Sequence, residues 1–202
     1  MTSPDRHDCV PSPKTIAIDL DDTLNDFTET LFKTRFAHDP AYGISADTFD
    51  KYVEMLRSGL PEANDLLSTE YSFFSYKIHS ECYKLSAARP DGVEFMQWLR
   101  ANRWRIIICT HRDLRRVHDA TRDWLNQNGI PFDHLFRALD KVEFCKAWGI
   151  QYLVDDHPYT LACEDRYDIQ IFYPILPKHQ ALKARRARGF RRFDELKEWI
   201  PR

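Results

Sequence analysis

Ile16-Ala17-Ile18-Asp19-Leu20-Asp21-Asp22-Thr23-Leu24 is an apolar run that ends in acidic residues. Thr15-Ile16-Ala17-Ile18 is short and β-branched, so it reads as a buried strand. A carboxylate buried at the end of such a strand is costly unless a cation or hydrogen-bond donors meet it. Asp19 and Asp21, one residue apart and followed by Thr23 at the mouth of a sheet, are therefore a candidate site for metal-assisted phosphoryl transfer.

Outward from this stretch the chain alternates between strands and helices. Trp104-Arg105-Ile106-Ile107-Ile108-Cys109 is a second apolar strand, and a short segment around 134–137 a third. Gln151-Tyr152-Leu153-Val154 follows, and Ile169-Gln170-Ile171-Phe172-Tyr173 reads as the last strand. A helix capped by Asp91 carries Val93, Met96 and Leu99; another spans about 113–127 and ends at Asn128-Gly129; a third, 141–148, is capped by Asp140 and stopped by Gly149. This alternation predicts an α/β fold, a Rossmann-like parallel sheet sandwiched by helices, with ligands beyond the carboxyl ends of its strands.

Residues 25–88 do not fit the alternation. Their pattern is mainly helical, including a helix Ala46–Ser58 capped by Ser45, and predicts a small helical cap subdomain inserted after the first strand. Residues 15–24 and 89–202 then form the core domain, and the Pro-containing residues 1–14 a flexible tail.

Three strands in this reading end in polar residues: Asp19 and Asp21; Thr110-His111-Arg112; and Asp155-Asp156-His157-Pro158. Asp140-Lys141 opens the helix before the last of these. Each piece alone has an ordinary reading. Thr110 is a strand-end residue, Lys141 a solvated lysine with Lys146 as its rival, and Asp155-Asp156 a helix N-cap pair. His111 and His157 read singly as surface or structural residues, and Arg112 equally as a ligand for phosphate or a substrate carboxylate or as a solvated arginine.

Together and in this order they resemble the four motifs of the haloacid dehalogenase (HAD) superfamily, over about 15–173. The resemblance implies a HAD core and an aspartyl-phosphate mechanism. Asp19 matches the nucleophile, and Asp21 the acid that protonates the leaving oxygen and then activates water. Lys141 would neutralise the nucleophile and phosphoryl group. Thr110, with His111 and Arg112, would bind phosphate. The implied cofactor is Mg²⁺, held by Asp19, the Asp21 carbonyl and Asp156, with Asp155 behind them. Asp22 stands where the family often has glycine.

Within the superfamily, Ala88-Arg89-Pro90-Asp91-Gly92-Val93-Glu94-Phe95 and Leu153-Val154-Asp155-Asp156-His157-Pro158 are similar to the 5′(3′)-deoxyribonucleotidases and their uncharacterised bacterial relatives. That implies a phosphomonoesterase for a nucleoside monophosphate. Cap residues Phe73, Phe74, Tyr76 and His79 are candidates for substrate contact, with subdomain core as their other reading. A phosphatase of another small phosphometabolite, and a non-catalytic phosphate-binding protein on the same fold, are the alternatives.

Composition agrees with a small-molecule partner. With 43% hydrophobic residues the chain is globular, and a net charge of −2 gives no general attraction to nucleic acid or anionic membrane. The basic run Ala184-Arg185-Arg186-Ala187-Arg188-Gly189-Phe190-Arg191-Arg192 reads as a solvated face rather than a nucleic-acid site. No apolar run approaches the roughly 20 residues that span a bilayer. Five scattered cysteines without a CxxC, and a start unlike a signal peptide, give a cytoplasmic expectation.

Overall fold

The structure, a computed structural model, describes residues 14–38, 79–176, 179 and 184–201. The strands are β1 (Thr15–Ile18), β2 (Arg105–Thr110), β3 (His134–Arg137), β4 (Tyr152–Val154), β5 (Gln170–Pro174) and β6 (Arg188–Phe190). Among the described residues the helices are α1 (Phe27–His38), α2 (His79–Leu85), α3 (Pro90–Ala101), α4 (Leu114–Gln127), α5 (Lys141–Ala147), α6 (Pro158–Ala162) and α7 (Leu196–Trp199), the last preceded by a 3₁₀ turn, Phe193–Glu195.

The six strands form one sheet in the order β3-β2-β1-β4-β5-β6, every pair parallel. Parallel strands are covered on both faces, which is why β1, β2 and β4 read as nearly unbroken apolar runs. Alternate side chains go to opposite layers. Ile16, Ile18, Ile106 and Ile108 pack with Phe95, Met96, Leu99, Trp124 and Leu125. Ala17, Ile107, Cys109 and Leu153 pack on the other face with Val142, Cys145 and Leu161. From β1 the chain first builds the β2–β3 side and then returns to build β4–β6. The order reverses between β1 and β4, and such a switch point leaves a crevice beyond the strand ends.

Several elements differ from the sequence reading. The first strand ends at Ile18 rather than residue 20, because 21–24 turn out of the sheet. Asp91 is not the cap of α3. Arg89 holds that position, Pro90 opens the helix, and the Asp91 carboxylate instead accepts the N–H of Phe193 at 3.0 Å. The strand 170–174 is not the last: β6 lies within the basic run and pairs with β5 at the sheet edge. Phe190 is fully buried there, while Arg191 and Arg192 face solvent. A Cβ at Gly189 would lie 2.9 Å from Ile175 and 3.0 Å from Tyr173, so glycine permits this close pairing. Glu164 anchors the approach to β6 by accepting the backbone N–H groups of Arg185, Arg186 and Ala187.

The segment after β1 leaves and re-enters the core at one stitched neck. Asn25 and Ala88 form an antiparallel bridge, the N–H of Arg89 donates to the Leu24 carbonyl at 2.8 Å, and that of Ala87 to the Asp26 carboxylate at 2.7 Å. The expected helix Ala46–Ser58 and the side chains of Phe73, Phe74 and Tyr76 lie outside the described residues, as does most of the expected tail. His79 opens α2, and its side chain is likewise outside what is described.

Candidate active site

The carboxyl ends of β1, β2 and β4 bring the predicted polar residues to one crevice. Asp19 directly follows β1, and its N–H continues the ladder by donating to the Val154 carbonyl at 2.9 Å. Asp155 does the same beyond β4, donating to Phe172 at 3.0 Å. Both carboxylates are thereby fixed on rigid backbone and are almost completely buried. Lys141 reaches them from the first turn of α5. Asp140 sets that turn by accepting the Glu143 N–H at 2.9 Å, which is N-capping.

The Lys141 Nζ lies 2.9 Å from Asp19 Oδ1 and 2.8 Å from Asp155 Oδ1, with 2% of its side chain exposed. Lys146, the rival, faces solvent with its ammonium 4.1 Å from the centre of the Tyr167 ring. Asp155 also accepts from the Thr160 hydroxyl and, at 3.3 Å, from the His157 N–H. Asp156 is held by the Thr23 hydroxyl at 3.1 Å. The N-cap of α6 is His157, whose Nδ1 accepts the Tyr159 N–H, so the acid pair is not the cap.

The electrostatics follow from burial. Desolvation raises Asp19 well above the ordinary aspartate range, and nearby Asp155, Asp156 and Asp21 add to this against the pull of Lys141. Burial would also raise Asp155, but Lys141 and its hydrogen bonds hold it below the usual range. Burial works against the Lys141 charge, and Asp19 and Asp155 more than compensate, so its proton is held more tightly than in water. Carboxylate oxygens of Asp19, Asp155 and Asp156 all lie within 4.8 Å of one another. Three buried acids against one lysine leave excess negative charge, and the donors are all hard oxygens. That set suits a small divalent cation such as Mg²⁺.

Thr110 ends β2 with 1% exposure, and its hydroxyl oxygen accepts the N–H of Arg112 at 3.2 Å. His111 faces solvent at the crevice, its ring tilted against His157 with centroids 5.4 Å apart and Nε2 3.0 Å from the Leu139 carbonyl. A carbonyl only accepts, so Nε2 carries the proton and donates it there. Partial desolvation of the ring, then the charge of Lys141, lower its pKa. Arg112, expected among the phosphate-binding residues, is 3% exposed. Its guanidinium is buried against Asp21, with Nε 2.9 Å from Oδ2 and Nη2 on Oδ1. Nη1 donates to the Thr121 hydroxyl at 3.2 Å, and the group lies 3.7 Å from the centre of the Tyr83 ring.

Asp22 adopts a left-handed backbone, φ 60°, a conformation that glycine reaches without strain. Its carboxylate compensates by accepting the Thr28 N–H at 2.8 Å, which starts α1. Sequence reasoning did not single out Tyr83, Thr121, Thr160 or His179. His179 is buried; its Nδ1 accepts the Leu176 N–H at 3.2 Å, leaving Nε2–H to donate to the Asp156 carbonyl at 2.7 Å. These residues sit outside the strand-end motifs, and a lone His or Thr carries no signal until the fold brings it near.

No protein-family model and no curated protein matches the sequence. Solved structures match in fold. A haloacid dehalogenase-like hydrolase of Streptococcus pneumoniae is 13% identical, with 94% of this chain and 99% of that one aligned at a TM-score of 0.67. A predicted phosphatase of Clostridium acetobutylicum is 13% identical, over 93% and 98%, also at 0.67. YfnB of Bacillus subtilis, described as a HAD hydrolase and bound to magnesium, is 14% identical over 93% and 98%, at 0.62.

Proposed function

From a fold shared with HAD hydrolases and the site just described, we propose that the protein is a Mg²⁺-dependent phosphomonoesterase acting on a small phosphate ester through an aspartyl-phosphate. The observation that carries this reading is the buried Asp19–Lys141–Asp155 array at the sheet's switch point, with Asp156 alongside. Uncatalysed phosphate-monoester hydrolysis is among the slowest reactions known, and catalysis rests on positioning and charge neutralisation.

Asp19 attacks phosphorus, the bond to the ester oxygen breaks, and Asp21 delivers a proton to that oxygen. Water then attacks the aspartyl-phosphate, Asp21 takes its proton, and phosphate leaves with the Asp19 carboxylate regenerated. Lys141 holds Asp19 in place and offsets the charge that gathers on the phosphoryl oxygens. Thr110 and the neighbouring backbone N–H groups receive the phosphate. Asp19, Asp156 and the Asp21 carbonyl would hold Mg²⁺, which supplies Lewis-acid neutralisation when bound.

For the substrate we infer a nucleoside monophosphate. Support comes from the likeness of Ala88–Phe95 and Leu153–Pro158 to the deoxyribonucleotidases, together with an insertion that begins and ends at the crevice. Turnover of p-nitrophenyl phosphate with and without Mg²⁺ tests the reaction, and Asp19→Asn should abolish it without unfolding the chain. A variant within about tenfold of wild type, deamidation excluded, overturns the nucleophile. A panel of phosphorylated metabolites tests the substrate class: preference for sugar phosphates over nucleotides would overturn it.

A further inference from the structure

Arg112 is the most deeply buried arginine among the described residues, and its surroundings define a task other than binding phosphate. Two of its nitrogens grip the two oxygens of Asp21, whose side chain is 23% exposed at the crevice. A third donates to Thr121, which is fully buried on α4. The flat face lies on Tyr83 of α2, and the backbone N–H is tied to Thr110. Asn25 Nδ2 donates to Asp21 Oδ1 at 3.3 Å from the neck side. A fork-to-fork pair fixes both the position and the plane of a carboxylate, which a point charge does not.

We propose that Arg112 is a positioning residue that aims the Asp21 carboxyl at the leaving oxygen of the ester. Tyr83 and Thr121 hold the guanidinium at the angle this requires. The inference rests on the phosphatase reading above. It assigns Arg112 no contact with the substrate: α2 and α4 set the angle of Asp21 through one planar group. Aiming matters in proportion to the proton the leaving group needs. An alkoxide leaves poorly without a proton, whereas p-nitrophenolate leaves readily. General acid catalysis contributes about 10²–10⁴-fold where it is needed.

The experiment compares Arg112→Met and Arg112→Lys with wild type on an alkyl phosphate and on p-nitrophenyl phosphate. Arg112→Met should lose at least about 100-fold in kcat/KM on the alkyl ester and less than about tenfold on the nitrophenyl ester. Arg112→Lys keeps the charge but not the fork, and should recover only part of the difference. Equal losses on both esters, or no loss on either, would overturn the proposal. A crystal structure of Arg112→Met gives a second readout that needs no turnover. The Asp21 carboxylate should have rotated from its wild-type position, and an unmoved carboxylate overturns the inference even if the wild-type protein hydrolyses neither ester. Inactivity of wild type on both esters would count against the phosphatase reading and overturn the aiming role with it, even if Asp21 has moved in the variant. Asp21 moved together with unequal losses on two esters that wild type hydrolyses is the result that supports the proposal.

Discussion

Lys141→Met keeps most of the side-chain stem and deletes its charge. In the wild type the ammonium lies 2.9 Å from one carboxylate and 2.8 Å from another, with almost no exposure to water. At an effective dielectric constant of about 20, each contact is worth roughly 6 kcal/mol of attraction. Burying the ammonium offsets several kcal/mol of this, and removing one member of a buried ion pair costs a net of about 3–5 kcal/mol. We expect a loss of that size in urea denaturation at neutral pH without metal, and a smaller loss with Mg²⁺, which would neutralise the same acids. Turnover should fall by about 10²–10³. The pH dependence has a definite sign. Asp155 is held below its unfolded value, so its stabilisation is present above the ordinary aspartate range and fades as pH falls through the lowered folded value. The gap between wild type and variant should therefore shrink in acid. Asp19, raised by burial, works the other way and makes the metal-free protein less stable as pH rises through its raised value. A destabilisation below about 1 kcal/mol with turnover within about tenfold of wild type would refute the buried ion-pair account, since such values belong to exposed pairs.

Asp156→Ala should raise the Mg²⁺ concentration for half-maximal activity and weaken Mg²⁺ binding in calorimetry; an unchanged titration would assign the cation to other groups. His179→Phe, which keeps a ring but loses the donor to the Asp156 carbonyl, should weaken Mg²⁺ binding by about tenfold with the circular dichroism unchanged. His179→Gln should recover part of that loss, and equal affinities in all three proteins would reduce His179 to packing. Glu164→Gln presents an amide to backbone N–H groups that a carboxylate receives, and should cost about 1–3 kcal/mol in urea denaturation. Burial would raise Glu164, but those N–H groups hold it below its usual range, so its contribution should be present above the ordinary glutamate range and vanish as pH falls through the lowered value. A variant as stable as wild type at neutral pH would show that the 185–187 approach finds other partners.

The sheet and its polar edge were legible because parallel strands buried on both faces leave continuous apolar runs, and because Asp19, Thr110 and Asp155 interrupt those runs at their ends. Asp140 and Gly149 marked α5 by local chemistry alone. β6 was not legible. It has three residues, its neighbours are arginines, and its one strong apolar signal, Phe190, looks isolated until Phe193 and Phe95 are seen packed beside it. Lys141 stood out as the first residue of a helix, whereas the geometry of Arg112 depends on Tyr83 and Thr121, which approach from two helices and share no spacing with it. Pairings between distant side chains leave no period in a sequence, and that is where a reading from residues alone stops.

The neck at Asn25 and Ala88 makes the chain between α1 and α2 interchangeable in principle. Both helices part from one hydrogen-bonded pair, so no strand register depends on how many residues lie between them. Loop-closure cost grows only logarithmically, by about 0.6 kcal/mol for each doubling of length. A foreign segment spliced between α1 and α2 would therefore meet a ready-made socket, with Trp124 Nε1 still donating to the Ser86 carbonyl at 2.8 Å beneath it. Chimaeras built at that junction would keep the strand ends, and the side chains they hold together, as they are.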